Sequence, residues 1–119
     1  MLVDDNVDAA QMLAMFLEAA GHQVLVEHSP HAALERMRGE TVDVFLLDIG
    51  LPHMDGYELA QRLRQQAGGA RARFIAVTGY GQETDRSYSM NAGFSYHFVK
   101  PVDAPKLARL LATIGAEAR

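Results

Sequence analysis

Three aspartates, a threonine and a lysine stand where apolar runs of this 119-residue chain stop. Leu2-Val3 gives way to Asp4-Asp5, Val44-Phe45-Leu46-Leu47 to Asp48, Phe74-Ile75-Ala76-Val77 to Thr78, and Phe98-Val99 to Lys100-Pro101. Carboxylates gathered in one place resist full ionisation, because like charges a few ångströms apart raise one another's pKa. A divalent cation relieves that conflict. Oxygen-only ligands with no thiolate nearby favour Mg2+, which binds one or two carboxylates plus a phosphate and keeps several waters. Three carboxylates and one Mg2+ leave about one negative charge, which Lys100 nearly cancels.

Each residue type has a use in phosphoryl chemistry. A carboxylate at Asp48 can attack phosphorus and form an acyl phosphate. Gly50 leaves the neighbourhood of Asp48 open, and its carbonyl is a candidate metal ligand. Thr78 offers a hydroxyl to a phosphoryl oxygen. Lys100 offers a charged donor, whose hydrogen bonds are roughly twice as strong as neutral ones. Taken singly, these residues have plainer readings: a helix cap, a strand-terminal threonine, a surface lysine. The case for a reaction site rests on all four stations occurring together.

Such a site requires the runs to end on one edge of a sheet. Short apolar runs alternate with helical patterns, as in βαβ units and parallel sheets. The pattern predicts strands near 1–4, 23–27, 43–47, 73–78 and 96–99, and helices near 7–20, 30–38, 57–66, 83–92 and 104–115. Residues Val42 and Val44 to Leu47 form the nearly continuous apolar run of a strand covered on both faces. Gly21, Gly93 and Gly39 follow helical segments where a left-handed closing residue is wanted. Asp103 is placed to cap the last helix, with Pro105 near its first turn. Ala67-Gly68-Gly69-Ala70 reads as a short flexible connection. Open α/β sheets bind ligands along the carboxyl edge of their strands.

Bulk properties narrow the classes. One domain spanning 1–119 is expected, long enough to bury about 65% of its unfolded surface. Hydrophobic residues make up 49%, charged residues 22%, and the net charge is -4. The basic residues are scattered, so direct nucleic-acid binding is not expected. No apolar stretch reaches the roughly 20 residues of a membrane span, and the N-terminus lacks signal-peptide regions. With no cysteine, thiolate metal sites and disulfides are excluded and a cytoplasmic location is expected.

Four pieces, in order, carry a family resemblance: Leu2-Val3-Asp4-Asp5-Asn6, Leu46-Leu47-Asp48 with Leu51-Pro52-His53-Met54-Asp55-Gly56, Val77-Thr78-Gly79, and Val99-Lys100-Pro101. Across essentially its whole length the chain resembles a response-regulator receiver domain of bacterial two-component signalling. The resemblance implies a doubly wound, flavodoxin-like α/β fold with a five-stranded parallel sheet in order 2-1-3-4-5 and five flanking helices. It implies Asp48 as phospho-acceptor and metal ligand, Asp5 as the main acidic metal ligand with Asp4 supporting, Thr78 as switch hydroxyl and Lys100 as phosphate contact. It also implies a cis Lys100–Pro101 bond, which costs little at X-Pro. The implied phosphoryl donor is a phosphohistidine on a histidine kinase or histidine phosphotransfer domain. The implied output is a downstream protein partner or a covalently linked domain, with no enzyme activity beyond assisting its own phosphorylation and dephosphorylation.

The chain departs from the family pattern in two places. Only Met1-Leu2-Val3 precede the acidic pair, where family members usually carry several more residues. His97 stands three residues before Lys100, where the family usually places Tyr or Phe as a rotamer switch; Tyr96 and Phe98 flank it as alternative occupants. A His97 that takes the switch role would make output depend on pH near its titration range; the plainer reading is a packed neutral ring. The other histidines show no metal spacing.

Two helices are unusual. The first is apolar nearly all round, and a helix wedged between neighbours is expected over a partner-binding surface. The segment 83–92 carries few apolar residues, so a weakly anchored helix beside the cleft is expected. Competing functions are a haloacid-dehalogenase-like phosphatase, which expects an Asp-x-Asp motif rather than Asp4-Asp5, and a receiver-like interaction module that is never phosphorylated. The chain reads either as a stand-alone receiver or as a piece of a larger protein such as a hybrid kinase.

Overall fold

The computed structural model describes residues 1–51, 53–79 and 93–117. The helix expected over 83–92 lies outside the described residues. Five strands form one sheet: β1 Leu2–Val3, β2 Val26–Glu27, β3 Val44–Asp48, β4 Arg73–Thr78 and β5 Tyr96–Val99. All neighbours pair parallel, in the order β2-β1-β3-β4-β5. The described helices are α1 Val7–Ala19, α2 Pro30–Arg36, α3 Gly56–Gln65 and α4 Ala104–Glu117, with a 3-10 turn at Ala67–Gly69.

Successive strand residues point to opposite faces, and two cores result. Val3, Phe45, Leu47, Phe74 and Ala76 pack with Ala33 of α2 and with Leu59, Ala60 and Leu63 of α3. Leu2, Leu46, Ile75 and Val77 pack on the other face with Ala10 and Leu17 of α1 and with Leu107 and Ile114 of α4. Helices on both faces of a parallel sheet make the expected doubly wound α/β fold. No described helix is long and apolar enough to cross a membrane.

The strand at 23–27 shortens to Val26–Glu27, because β2 is the edge strand and can form a ladder only where β1 runs beside it. Pairing continues just beyond those limits, through Leu2 N–H to the Leu25 carbonyl at 2.8 Å and Asp4 N–H to the Glu27 carbonyl at 3.1 Å.

Local chemistry sets the helix starts. Asn6, Ser29, Asp55 and Asp103 each accept a backbone N–H three residues on, at 3.1, 3.2, 2.8 and 3.0 Å, satisfying a donor the helix leaves unpaired. Gly21 and Gly93 have φ of 100° and 90°, as expected, whereas Gly39 is not left-handed. At Gly93 a side chain would also collide with the Arg64 guanidinium, which sits 4.3 Å from the Phe74 ring centre.

Two further expectations fail. The connection at 67–70 is a packed turn: a Cβ on Gly68 would collide with the Glu40 carbonyl and one on Gly69 with the Leu63 carbonyl, while Val42 N–H donates to Gly68 O at 3.1 Å. The first helix is not wedged between neighbours. It buries Ala10, Ala14 and Leu17 but leaves Met12 and Met15 72% and 70% exposed, because sheet and α4 cover only its inner side.

Candidate functional site

Strand register delivers the predicted residues to one edge. Val3 lies level with Leu47, and Asp48 with Val77. Asp4 therefore emerges beside Asp48, the last residue of β3. Thr78 ends β4 level with Val99, and Lys100 follows at once. Thr78 and Lys100 are also joined through the backbone, Lys100 N–H donating to the Thr78 carbonyl at 2.7 Å. The expected cis bond lies between Lys100 and Pro101.

Asp4 and Asp48 are buried and Asp5 is exposed, yet one carboxylate oxygen from each lies within 4.8 Å of the others. Asp4 Oδ1 accepts the Asn6 N–H at 2.9 Å, and Asp48 Oδ1 accepts the Gly50 N–H at 2.9 Å. Lys100 Nζ lies 2.9 Å from Asp48 Oδ2 and 3.3 Å from Asp4 Oδ2. Desolvation raises the Asp4 carboxyl above the ordinary aspartate range. The Asn6 N–H and the Lys100 charge offset part of the rise, and the Asp48 charge adds to it. Burial alone would lower the Lys100 ammonium, but its hydrogen bond to Asp48 and the charges of Asp48 and Asp4 raise it. Acids are thus held close by one lysine, with an all-oxygen donor set of the kind hard cations take. The Gly50 N–H is committed to Asp48, which places residue 50 against the acid cluster.

Thr78 is 1% exposed, and its Oγ1 lies 2.9 Å from His97 Nε2. Tyr96 and Phe98 pack into the core beneath α1 and α4, so alternation along β5 turns His97 to the opposite face. Of the three alternative occupants, His97 is the one that meets Thr78.

Two features were not anticipated from the sequence. His28 Nδ1 lies 3.0 Å from the Asp4 carbonyl oxygen, tying the acidic loop to the loop after β2. Strand register explains it: Glu27 pairs with Val3, so His28 emerges beside Asp4. The second is His53, in the loop after Asp48, with φ of 72°. Its position five residues beyond the strand carried no marker such as Gly or Asn.

Residues 1–112 match the family described as the response regulator receiver domain. An uncharacterized 14.6 kDa protein of Leptolyngbya boryana is 35% identical over 93% of this chain and 85% of its own length. The signal transduction histidine-protein kinase BarA of Escherichia coli is 31% identical over 93% of this chain, which spans 12% of that kinase. Among solved structures, the receiver domain of sensor histidine kinase PA1611 from Pseudomonas aeruginosa has a TM-score of 0.82 and 30% identity, over 96% of this chain and 94% of that one. That structure has a magnesium ion coordinated in the active site cleft.

Proposed function

The chain belongs to the response regulator receiver domain family, and on that premise we propose that it is a phosphorylation-dependent signalling switch with Asp48 as phospho-acceptor. One observation carries the reading. Three carboxylates converge within 4.8 Å at the edge of a parallel sheet, with Lys100 Nζ 2.9 Å from Asp48.

An Asp48 oxygen attacks phosphorus of a phosphohistidine on a histidine kinase or phosphotransfer domain. The O–P bond forms as the N–P bond breaks, and the leaving imidazole takes a proton from solvent. Asp5, Asp48 and the Gly50 carbonyl would hold Mg2+, with Asp4 supporting. Bound there, the ion supplies charge neutralisation for the transferring phosphoryl oxygens. Lys100, already at Asp48, stays beside the acyl phosphate as a charge-assisted donor. Thr78 donates its hydroxyl to a phosphoryl oxygen, and its movement alters a face read by a downstream protein or a linked domain. The cleft stores a signal and turns over no free metabolite.

The test is incubation with Mg2+ and a small acyl-phosphate donor, followed by intact mass. The expected result is a gain of one phosphoryl group, released by hydroxylamine and absent in Asp48→Asn. No gain, or a gain that survives Asp48→Asn, overturns the proposal.

A further inference from the structure

Strand β2 holds the backbone of the acidic pair from one side. Leu2 N–H donates to the Leu25 carbonyl and Asp4 N–H to the Glu27 carbonyl, at 2.8 and 3.1 Å. Bonds in a parallel ladder are evenly spaced, so the next donor, to the Asp4 carbonyl, would be the Ser29 N–H. The ladder ends before it. Glu27 is the last paired residue of β2, and Ser29 turns away to cap α2, with Pro30 in the first turn. A side chain takes that place instead: His28 Nδ1 lies 3.0 Å from the Asp4 carbonyl oxygen. A carbonyl only accepts, so Nδ1 carries the proton, whatever the state of Nε2.

Resting on the reading of the acidic cluster as a Mg2+ site that serves phosphorylation of Asp48, the geometry points to His28 as a positioning residue for the cation. The carbonyl it holds belongs to the Asp4–Asp5 peptide. Asp5 is exposed, so the backbone that carries it, rather than packing, aims its carboxylate. The Asn6 N–H, bonded to Asp4 Oδ1 at 2.9 Å, fixes the turn on one side of Asp5, and His28 fixes it on the other. A planar peptide held at its oxygen resists rotation. Asp5 therefore stays where one of its oxygens lies within 4.8 Å of those of Asp4 and Asp48. Without the Nδ1–H donor the Asp4 carbonyl is free to turn, and gathering Asp5 then costs part of the binding energy of the ion. Donors that orient metal ligands from behind are worth roughly 10–100-fold in affinity. Among the described residues the acidic cluster is Asp4, Asp5 and Asp48, so His28 acts through them and not as a ligand.

The test is calorimetric Mg2+ titration of the full chain as parent, His28→Leu and His28→Asn, each checked for folding by circular dichroism. Asn puts an amide N–H on the same side-chain branch, and Leu keeps that shape without a donor. His28→Leu is expected to weaken Mg2+ binding about tenfold, and His28→Asn to restore most of the loss. With the acyl-phosphate donor, His28→Leu needs correspondingly more Mg2+ but reaches the parent rate of phosphorylation at saturation. In 15N NMR of the imidazole-labelled parent, the His28 Nδ1 resonance, assigned by its absence in His28→Asn, is expected in the proton-bearing range. Parent-like Mg2+ affinity in His28→Leu, a His28→Asn as weak as His28→Leu, or a proton-free Nδ1 overturns this inference and leaves the phospho-acceptor reading standing. A parent chain that gains no phosphoryl group overturns both.

Discussion

The two halves of the cleft are built differently. On the β1 and β3 side, Asp4 and Asp48 each accept a backbone N–H, from Asn6 and Gly50, and share one lysine. His28 adds a hold on the Asp4 carbonyl. On the β4 and β5 side, the Thr78 hydroxyl has a single described partner, His97. A carboxylate held at several points cannot drift when its neighbour changes charge. A hydroxyl held by one bond can exchange that partner for another. The contrast suits an acceptor that must stay in place and a detector that must respond.

The largest effect is expected from removing the cation of the firm half. Lys100→Met leaves two buried carboxylates facing each other without a counter-charge. Breaking a buried pair costs several kcal/mol; with the lysine side chain 32% exposed, a loss of about 1–3 kcal/mol in urea denaturation near pH 7 is expected. The sign with pH follows from linkage. Lys100 holds the Asp4 carboxyl down, so without it that carboxyl titrates higher still in the folded state, and the deficit grows as pH rises and shrinks toward about pH 4. Equal deficits at both pH values would contradict the charge account.

Asp4 gives a second, smaller test. Its folded pKa is raised, first by desolvation, so the stability it contributes is present at low pH and is lost as pH rises through that folded pKa. Asp4→Asn should therefore raise the melting temperature of the metal-free protein near pH 7. Mg2+ favours the deprotonated cluster, so its stabilisation of the parent chain should weaken as pH falls through the same range and be smaller in Asp4→Asn. A Mg2+ effect independent of pH would refute this.

On the responsive half, Thr78→Val should cost only about 1 kcal/mol, the net worth of one hydrogen bond, measured by the same denaturation. A cost as large as that of Lys100→Met would erase the contrast between the halves. The backbone beside the cleft gives a last test at His53, which holds φ 72°. His53→Gly should stay within about 0.5 kcal/mol of neutral, and His53→Val should lose about 1–2 kcal/mol, since β-branched residues resist the left-handed region.

Much of this cleft is legible in the sequence. Strands covered on both faces must be apolar, so the first polar residue after Val3, Leu47, Val77 and Val99 marks the sheet edge. Parallel connectivity brings those marks together. The caps at Asn6, Ser29, Asp55 and Asp103 follow the same local logic, although only Asp103 was singled out. Less was legible where an outcome depends on which neighbour arrives. The pattern of α1 showed a surplus of apolar positions but not that Met12 and Met15 face outward; that depends on where α4 packs. The turn at 67–70 resembled a flexible link, because two glycines signal freedom and close approach equally well.

Residue type and order alone determined the fold class, the carboxyl edge, and the acids, hydroxyl and ammonium placed on it, because periodicity and charge are properties of the chain itself. The structure alone decided that Lys100 bridges Asp4 and Asp48, that His28 braces the acidic loop, and that His97 rather than Tyr96 or Phe98 meets Thr78. Those contacts depend on strand register and side-chain reach across neighbouring strands, and both are settled only when the sheet has closed around its two cores.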